Sequence, residues 1–418
     1  MASGKAVDAV YKAKIPAAAS KLRELYYMAH FMHSHAAHFY ALAAPDFVVG
    51  PDAPPAERNI LGLIGKVGLD LGREVIRQRE ITQLVQQMVG GRATHPVWNL
   101  PGGVSRALSS ENLETIKGFV PGLVAFGELG LKLFDDLVLA NKAYLDLILG
   151  DGYELVTNYM GLVDDRDRVT FYEGTVRVVD SEGVEIDRYG ESEYAEHVAE
   201  HVEPYSYLKF PYLKKLGWQG FKEGKGTSLY QAAPLARLNA ASGMATPKAQ
   251  AAYEKMYATF GGKPVHKLMA HHWARLIELL YAAERLAELV ADPEILDPNV
   301  RVIPSATPSE GVGIIEAPRG TLTHHYATDE RGIVTKANLI VGTTNNNAPI
   351  SMAVKKAAQK FIGAGGEVAE GLLNRVEMAF RIFDPCFSCA THSLPGHMPL
   401  IIELKNGAGE TIRTISRS

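Results

Sequence analysis

Cysteine is nearly missing from this chain, with two thiols in 418 residues. That excludes a disulfide framework, and it leaves too few thiolates for an iron–sulfur cluster. Excess positive charge is missing too. Lys and Arg number 43 against 47 Asp and Glu, a formal net charge of -4, which argues against a nucleic-acid binder. No run of about 18 apolar residues could span a bilayer, and Met1 to Asp8 holds no apolar signal core. The chain is therefore expected to be cytoplasmic, with no membrane span. Repeats and low-complexity stretches are also absent. What is present is ordinary for a globular protein: 47% apolar and 22% charged residues. A chain this long buries a large core, as one big domain or as two to three smaller ones.

Apolar periodicity predicts a helix over residues 17–44, where Leu22, Leu25, Ala29, Met32, Ala36 and Phe39 recur at three- and four-residue steps. His30, His33, His35 and His38 lie on the same segment. Their spacing spreads them around the helix, so separate hydrogen bonds within a bundle are expected rather than one ligand face. Further helices are predicted over 57–89, 123–149, 264–291, 348–363 and 367–381. Strands are predicted over 168–189 about Asp180-Ser181-Glu182-Gly183, over 311–343 with a turn at Asp329-Glu330-Arg331-Gly332, and after Leu400 about Asn406-Gly407. The expected class is α+β and helix-dominated, a central helical bundle with small peripheral β-hairpins.

Both cysteines fall in Asp384-Pro385-Cys386-Phe387-Ser388-Cys389-Ala390-Thr391-His392. Two thiols two residues apart can share one metal or bind two adjacent ones, and thiolates suit nickel, iron and zinc. The Asp-Pro pair restrains the backbone before the first thiol. Three other readings stand beside a site for such metals. A zinc knuckle of Cys386, Cys389 and His392 needs a fourth ligand. A redox pair needs a strand leading into the motif. Buried structural thiols need nothing further. Two more segments carry chemistry. Glu316-Ala317-Pro318-Arg319-Gly320 fixes an arginine between proline and glycine, giving a preorganised cation. Val341-Gly342-Thr343-Thr344-Asn345-Asn346-Asn347 gathers polar groups at a strand end, where a capped loop is also a common outcome.

Together these motifs resemble the large subunits of nickel–iron hydrogenases. So do Gly90-Gly91-Arg92 with His95-Pro96 and Pro101-Gly102-Gly103, the stretch from His201 to Pro211, and Pro234-Leu235-Ala236-Arg237-Leu238-Asn239. The likeness covers nearly the whole chain and is nearest to the cytoplasmic methyl-viologen-reducing type that serves heterodisulfide reductase. The resemblance implies a Ni–Fe centre whose iron carries CO and CN, with Cys386 as terminal nickel ligand and Cys389 as bridge. It implies Arg319 over the vacant metal position, Pro318 shaping the pocket, and Thr343 donating to an iron-bound cyanide. His392 would stand at a neighbouring Mg or Fe. The implied reaction is reversible oxidation of H2, with electrons passed to an iron–sulfur small subunit, then to heterodisulfide reductase or another acceptor module. A maturation endopeptidase is expected to cut after His392, making 1–392 the hydrogenase domain and 393–418 a maturation tail.

The chain departs from the family in one respect. The family's first motif, R-x-C-G-x-C-x-x-x-H, has no counterpart here. The expectation is a chain that is N-terminally incomplete and inactive alone. The alternatives are a separate polypeptide supplying the motif, or a metal-free scaffold subunit of a redox complex, like the quinone-site subunit of complex I.

Overall fold

The apolar spacing folds as helices around one buried helix. In the computed structural model, which describes residues 1–362, 370–386 and 400–417, the central helix Ala270–Ala291 buries Trp273, Leu276, Leu280, Leu286 and Leu289. It packs against the histidine-rich helix Ala17–Ala36 and the long helix Ser110–Phe134. The last of these contacts is close. A Cβ added at Gly127 would lie 2.9 Å from the Cα of Leu280, so the missing side chain lets the two backbones approach. Ser109 caps the long helix, its hydroxyl accepting the Asn112 amide at 3.2 Å.

Small sheets flank this bundle. The strands Glu310–Ala317, Gly320–Thr328 and Val334–Ile340 form an antiparallel meander, with Gly320 paired to Ala317 and Thr323 to Ile340. A second sheet orders Glu185–Tyr189, Thr175–Val179, Asn158–Val163 and Tyr230–Gln231 side by side, the last pair parallel. Val198–Val202 pairs with Lys209–Leu213. The N-terminal helix Ala2–Val10 lies directly on the strand Glu310–Ala317, against Gly311 and Gly313.

Met1–Pro385 forms one compact unit and Cys386–Ser418 a second. The described part of the second unit is the antiparallel hairpin Leu400–Lys405 with Thr411–Arg417. Asn406 closes its loop, accepting the amides of Ala408 and Glu410 at 2.9 and 3.0 Å. Among the described residues, no helix is long and apolar enough to cross a membrane.

The observed class is α+β and helix-dominated, as the sequence implies, but several boundaries differ. The helix expected over 17–44 stays α-helical only to Ala36 and continues as a π-helical stretch, Ala37–Ala43. The helix expected over 57–89 breaks at Gly68, whose φ is 91°, into Ile60–Val67 and Leu69–Gly90. The helix expected over 123–149 starts earlier, at Ser110. It runs through Pro121 and gives way after Phe134 to a second π-helical stretch, Asp135–Leu139.

Candidate active site

The turn between the first two strands of the meander presents Arg319. Ala317 and Gly320 are paired, which leaves Pro318 and Arg319 as the loop. Gly320 holds φ at 146°, and a Cβ there would meet the carbonyls of Ala232 and Gly342 at 2.6 Å, so only glycine fits. Three successive carbonyls of this turn are held by buried side chains. Arg237 donates to Ala317 O at 2.8 Å and Pro318 O at 3.2 Å, and Asn346 Nδ2 donates to Arg319 O at 2.8 Å.

Arg237 is fully buried and needs anionic partners. Its fork meets Glu278 at 2.6 Å through both Nε and Nη2, and its Nη1 meets Glu316 at 2.9 Å. Glu278 also pairs with His35 Nε2 at 2.9 Å. Glu316 accepts the Leu162 amide at 2.8 Å and the Thr321 hydroxyl at 3.0 Å. Burial pushes the Glu316 carboxyl up to about 7, against the pull of Arg237 and these donors. Burial raises Glu278 too, but Arg237 and His35 outweigh it and leave the group lowered. Burial pushes His35 down to about 4, so its imidazole is neutral near pH 7.

The asparagine run works as a stitch. Asn345 donates to Thr321 O at 2.6 Å and accepts from the Tyr230 hydroxyl at 2.6 Å. Asn346 also donates to Gly342 O at 3.1 Å and accepts from the Ala232 amide at 2.9 Å. Asn347 donates to Lys209 O at 2.9 Å. The loop thus lies against the arginine turn. A Cβ at Gly342 would be 3.3 Å from the Arg319 carbonyl carbon. Thr343 is buried beside it, its carbonyl accepting the Asn346 amide at 2.9 Å.

The segment leading to the cysteines is held by a separate set of contacts. Helix Glu370–Arg381 is anchored by Arg381 to buried Asp46 at 2.5 Å, by Asn374 to the same carboxylate at 3.0 Å, and by Arg375 to Asp52 at 2.6 and 2.8 Å. Buried Arg275 then grips Ile382 O at 2.8 Å. Burial pushes Arg275 down to about 10, which still leaves it a cation at neutral pH. Asp384 adopts φ 53°, a left-handed conformation that aspartate tolerates better than most residues. Its Oδ1 accepts from Arg319 Nη2 at 3.3 Å. Burial raises the Asp384 carboxyl, with Arg319 and Arg275 opposing. Arg319 Nε and Asp384 Oδ2 are both buried and have no hydrogen-bond partner among the described residues.

Pro318, Arg319 and Thr343 therefore lie in adjoining segments, with Asp384 against Arg319. Cys386 opens the second unit two residues further on. Cys389 and His392 lie outside the described residues. Among the described residues, no group of three or more His, Cys, Asp or Glu side chains could hold a metal ion. The four histidines go to different places: His30 stacks on Tyr27, His33 faces Arg79 and Thr82, His35 meets Glu278, and His38 meets Arg381 O. Sequence reasoning missed the roles of Arg237, Glu278, Arg275 and the Asp384 side chain. One signal was available. Arg275 and Glu278 interrupt the apolar face of the central helix, where an unpaired charge is costly.

The donor set fits a soft-metal centre. Two thiols at C-x-x-C spacing suit nickel and iron; two residues before the first, Asp384 keeps a buried carboxylate oxygen without a described partner, and the Arg319 it accepts from keeps a buried N–H. Comparison with known proteins agrees. The family model for nickel-dependent hydrogenase matches residues 1–58 and 74–392. The chain is 50% identical over 414 residues to an F420-non-reducing hydrogenase iron-sulfur subunit of Archaeoglobus profundus, covering 99% of this chain and 85% of that one. It is 37% identical over 402 residues to the beta subunit of the NAD-reducing hydrogenase HoxS of Cupriavidus necator, covering 94% and 80%. The crystal structure of an NAD+-reducing NiFe-hydrogenase in the H2-reduced state matches with a TM-score of 0.86 at 36% identity, over 94% of this chain and 84% of that one. The NiFeSe-hydrogenase of Dm. baculatum, 21% identical, shares the fold with a TM-score of 0.63 over 94% and 86%. The chain belongs to the nickel-dependent hydrogenase family, as the large, catalytic subunit.

Proposed function

We propose that the chain oxidises H2 reversibly at a nickel–iron centre held by Cys386 and Cys389, with Arg319 as the cation that faces the reacting atoms. The Arg319–Asp384 pair carries this reading. It places a partly exposed guanidinium, its backbone fixed on three carbonyls, against the residue that leads by one proline into the first thiol. When bound, the metal pair supplies Lewis acidity that polarises H2 for heterolytic cleavage. The chain's own groups orient and discharge. Asp384 Oδ1 aims the guanidinium, and Asp384 Oδ2, buried and without a described partner, is a seat for a released proton. A cysteine thiolate is the first base, and the Arg319 cation steadies the charge that develops beside it. Pro318 walls the pocket, and Thr343 is the donor to an iron-bound CN beside CO. His392 serves a neighbouring Mg or Fe.

Two thiolates are half of what the family's centre takes, so the chain by itself is inactive. It holds too few cysteines to carry electrons away, so it acts with an iron–sulfur small subunit in the cytoplasm. From there electrons pass to heterodisulfide reductase or another acceptor module. Residues 1–392 are the hydrogenase domain, and 393–418 are a tail removed by a maturation endopeptidase. The test is Arg319→Lys in the loaded complex. Lysine keeps the charge but loses the planar fork. H2-dependent viologen reduction should fall about a hundredfold at unchanged nickel content. An unchanged rate would refute the role of Arg319.

A further inference from the structure

Arg237 uses every donor it has. A guanidinium carries five N–H groups. Nε and Nη2 go to Glu278, Nη1 to Glu316 and Ala317 O, and Nη2 also to Pro318 O, five bonds between 2.6 and 3.2 Å. The two carboxylates fix the fork in plane. Phe31 and Phe171, stacked on each other, each lie 5.7 Å from its central carbon. The backbone beneath it is equally close, since a Cβ at Gly161 would meet the Arg237 Cα at 2.8 Å. The fork cannot shift without breaking a buried ion pair. What it holds is the pair of carbonyls immediately before Arg319.

We propose that Arg237 is a positioning residue for the reaction. It sets where the Arg319 guanidinium stands by clamping the Ala317–Gly320 turn, and it acts on chemistry only through Arg319. The proposal rests on the reading of Arg319 given above. Glu278 balances the charge of the clamp, Glu316 accepts a further N–H, and His35 braces Glu278 from the histidine-rich helix. A lysine at 237 would keep the charge. It has three donors at one point and cannot serve two carboxylates and two carbonyls together.

The experiment uses the loaded complex in four forms: wild type, Arg237→Lys, Arg319→Lys, and both together. Turnover with H2, the KM for H2, nickel content and hydrogen exchange of the peptide spanning 316–322 are measured. Arg237→Lys should lower kcat about ten- to a hundredfold at little-changed KM and nickel. The double variant should be no slower than Arg319→Lys alone, because residues acting through one another are not additive. Exchange should quicken in 317–320 and stay unchanged in the hairpin at 175–189. Multiplying losses, or unaltered exchange in the turn, would overturn the proposal. If Arg319→Lys leaves kcat untouched, the reading of Arg319 fails instead, and the exchange data still report on the clamp. Should Arg237→Lys not fold, Glu278→Gln removes one buried charge and one of the two oxygens that hold the fork, leaving a single acceptor. Its loss of rate must likewise vanish in the Arg319→Lys background.

Discussion

The seat of the N-terminal helix gives a sharp test of close packing. Gly313 lies on the strand Glu310–Ala317 with the helix Ala2–Val10 across it. A Cβ added there would stand 2.5 Å from the Ala6 backbone nitrogen and 2.7 Å from the Lys5 Cβ, and closer still to Ala2 O. Two of these are backbone atoms, which no rotamer change can move aside. Ordinary contact needs about 3.4 Å or more, so Gly313→Ala must lift the helix by roughly 1 Å. Alanine gains about 0.4–1 kcal/mol from reduced freedom of the unfolded chain. The overlap costs about 1–3 kcal/mol, so the net effect is destabilising by up to about 2.6 kcal/mol. Lifting the helix also weakens the grip of Lys5 on Ile314 O at 3.2 Å and Tyr172 O at 2.8 Å. An entropy of about 2.1 cal/mol/K per residue over a unit this size converts 2 kcal/mol to a midpoint drop of only about 2–3 °C. Differential scanning calorimetry therefore needs an internal reference. Gly118, exposed on the helix Ser110–Phe134, meets nothing within 4 Å, so Gly118→Ala should raise the midpoint. Equal shifts of the same sign for the two variants would refute the packing argument.

Glu316 supplies a pH prediction. Its folded-state pKa, about 7, lies above the unfolded value of 4.5, so the folded protein holds this proton more tightly. Stability from this group is then full below pH 4.5 and falls as pH rises towards 7. Between pH 5 and pH 8 wild type should lose about 2–3 kcal/mol relative to Glu316→Gln in urea titrations; parallel pH curves would contradict this. Arg23 supplies a second. It is fully buried, paired with Asp8 at 2.5 Å and bonded to Gly103 O at 2.7 Å. Arg23→Met leaves Asp8 buried with the Gly102 amide as its remaining donor among the described residues, so unfolding free energy should drop by about 3–5 kcal/mol, and a loss under about 1 kcal/mol would show the pair to be solvated.

The sequence made the architecture legible where one element's own residues decide it. Period-3.6 apolar faces marked the central helix, and turn residues marked the hairpins at Asp180, Asp329 and Asn406. Boundaries failed where local rules compete with packing. Pro121 reads as a helix breaker, yet flanking turns carry the helix Ser110–Phe134 through it. Val265 and Leu268 continue the apolar period of the central helix but precede its first turn at Ala270. The π-helical stretches at Ala37–Ala43 and Asp135–Leu139 leave no periodicity cue. In the site, Arg319 could be picked out because proline and glycine flank it, whereas Thr343 came only with the family resemblance. Arg237, Glu278 and Glu316 could not be joined, because nothing local links positions 41 and 79 residues apart.

Those separations have a consequence for assembly. The arginine turn is a tight loop in sequence, closed by the pairing of Ala317 with Gly320, but the side chains that hold its carbonyls come from far away. Arg237 reaches it across 80 residues, Leu162 ties down Glu316 across 154, and His35 braces Glu278 across 243. Loop closure must precede each contact. The turn therefore acquires its working geometry only after most of the chain has been synthesised and folded, and any factor that delivers metal early meets a site whose arginine is still unaimed.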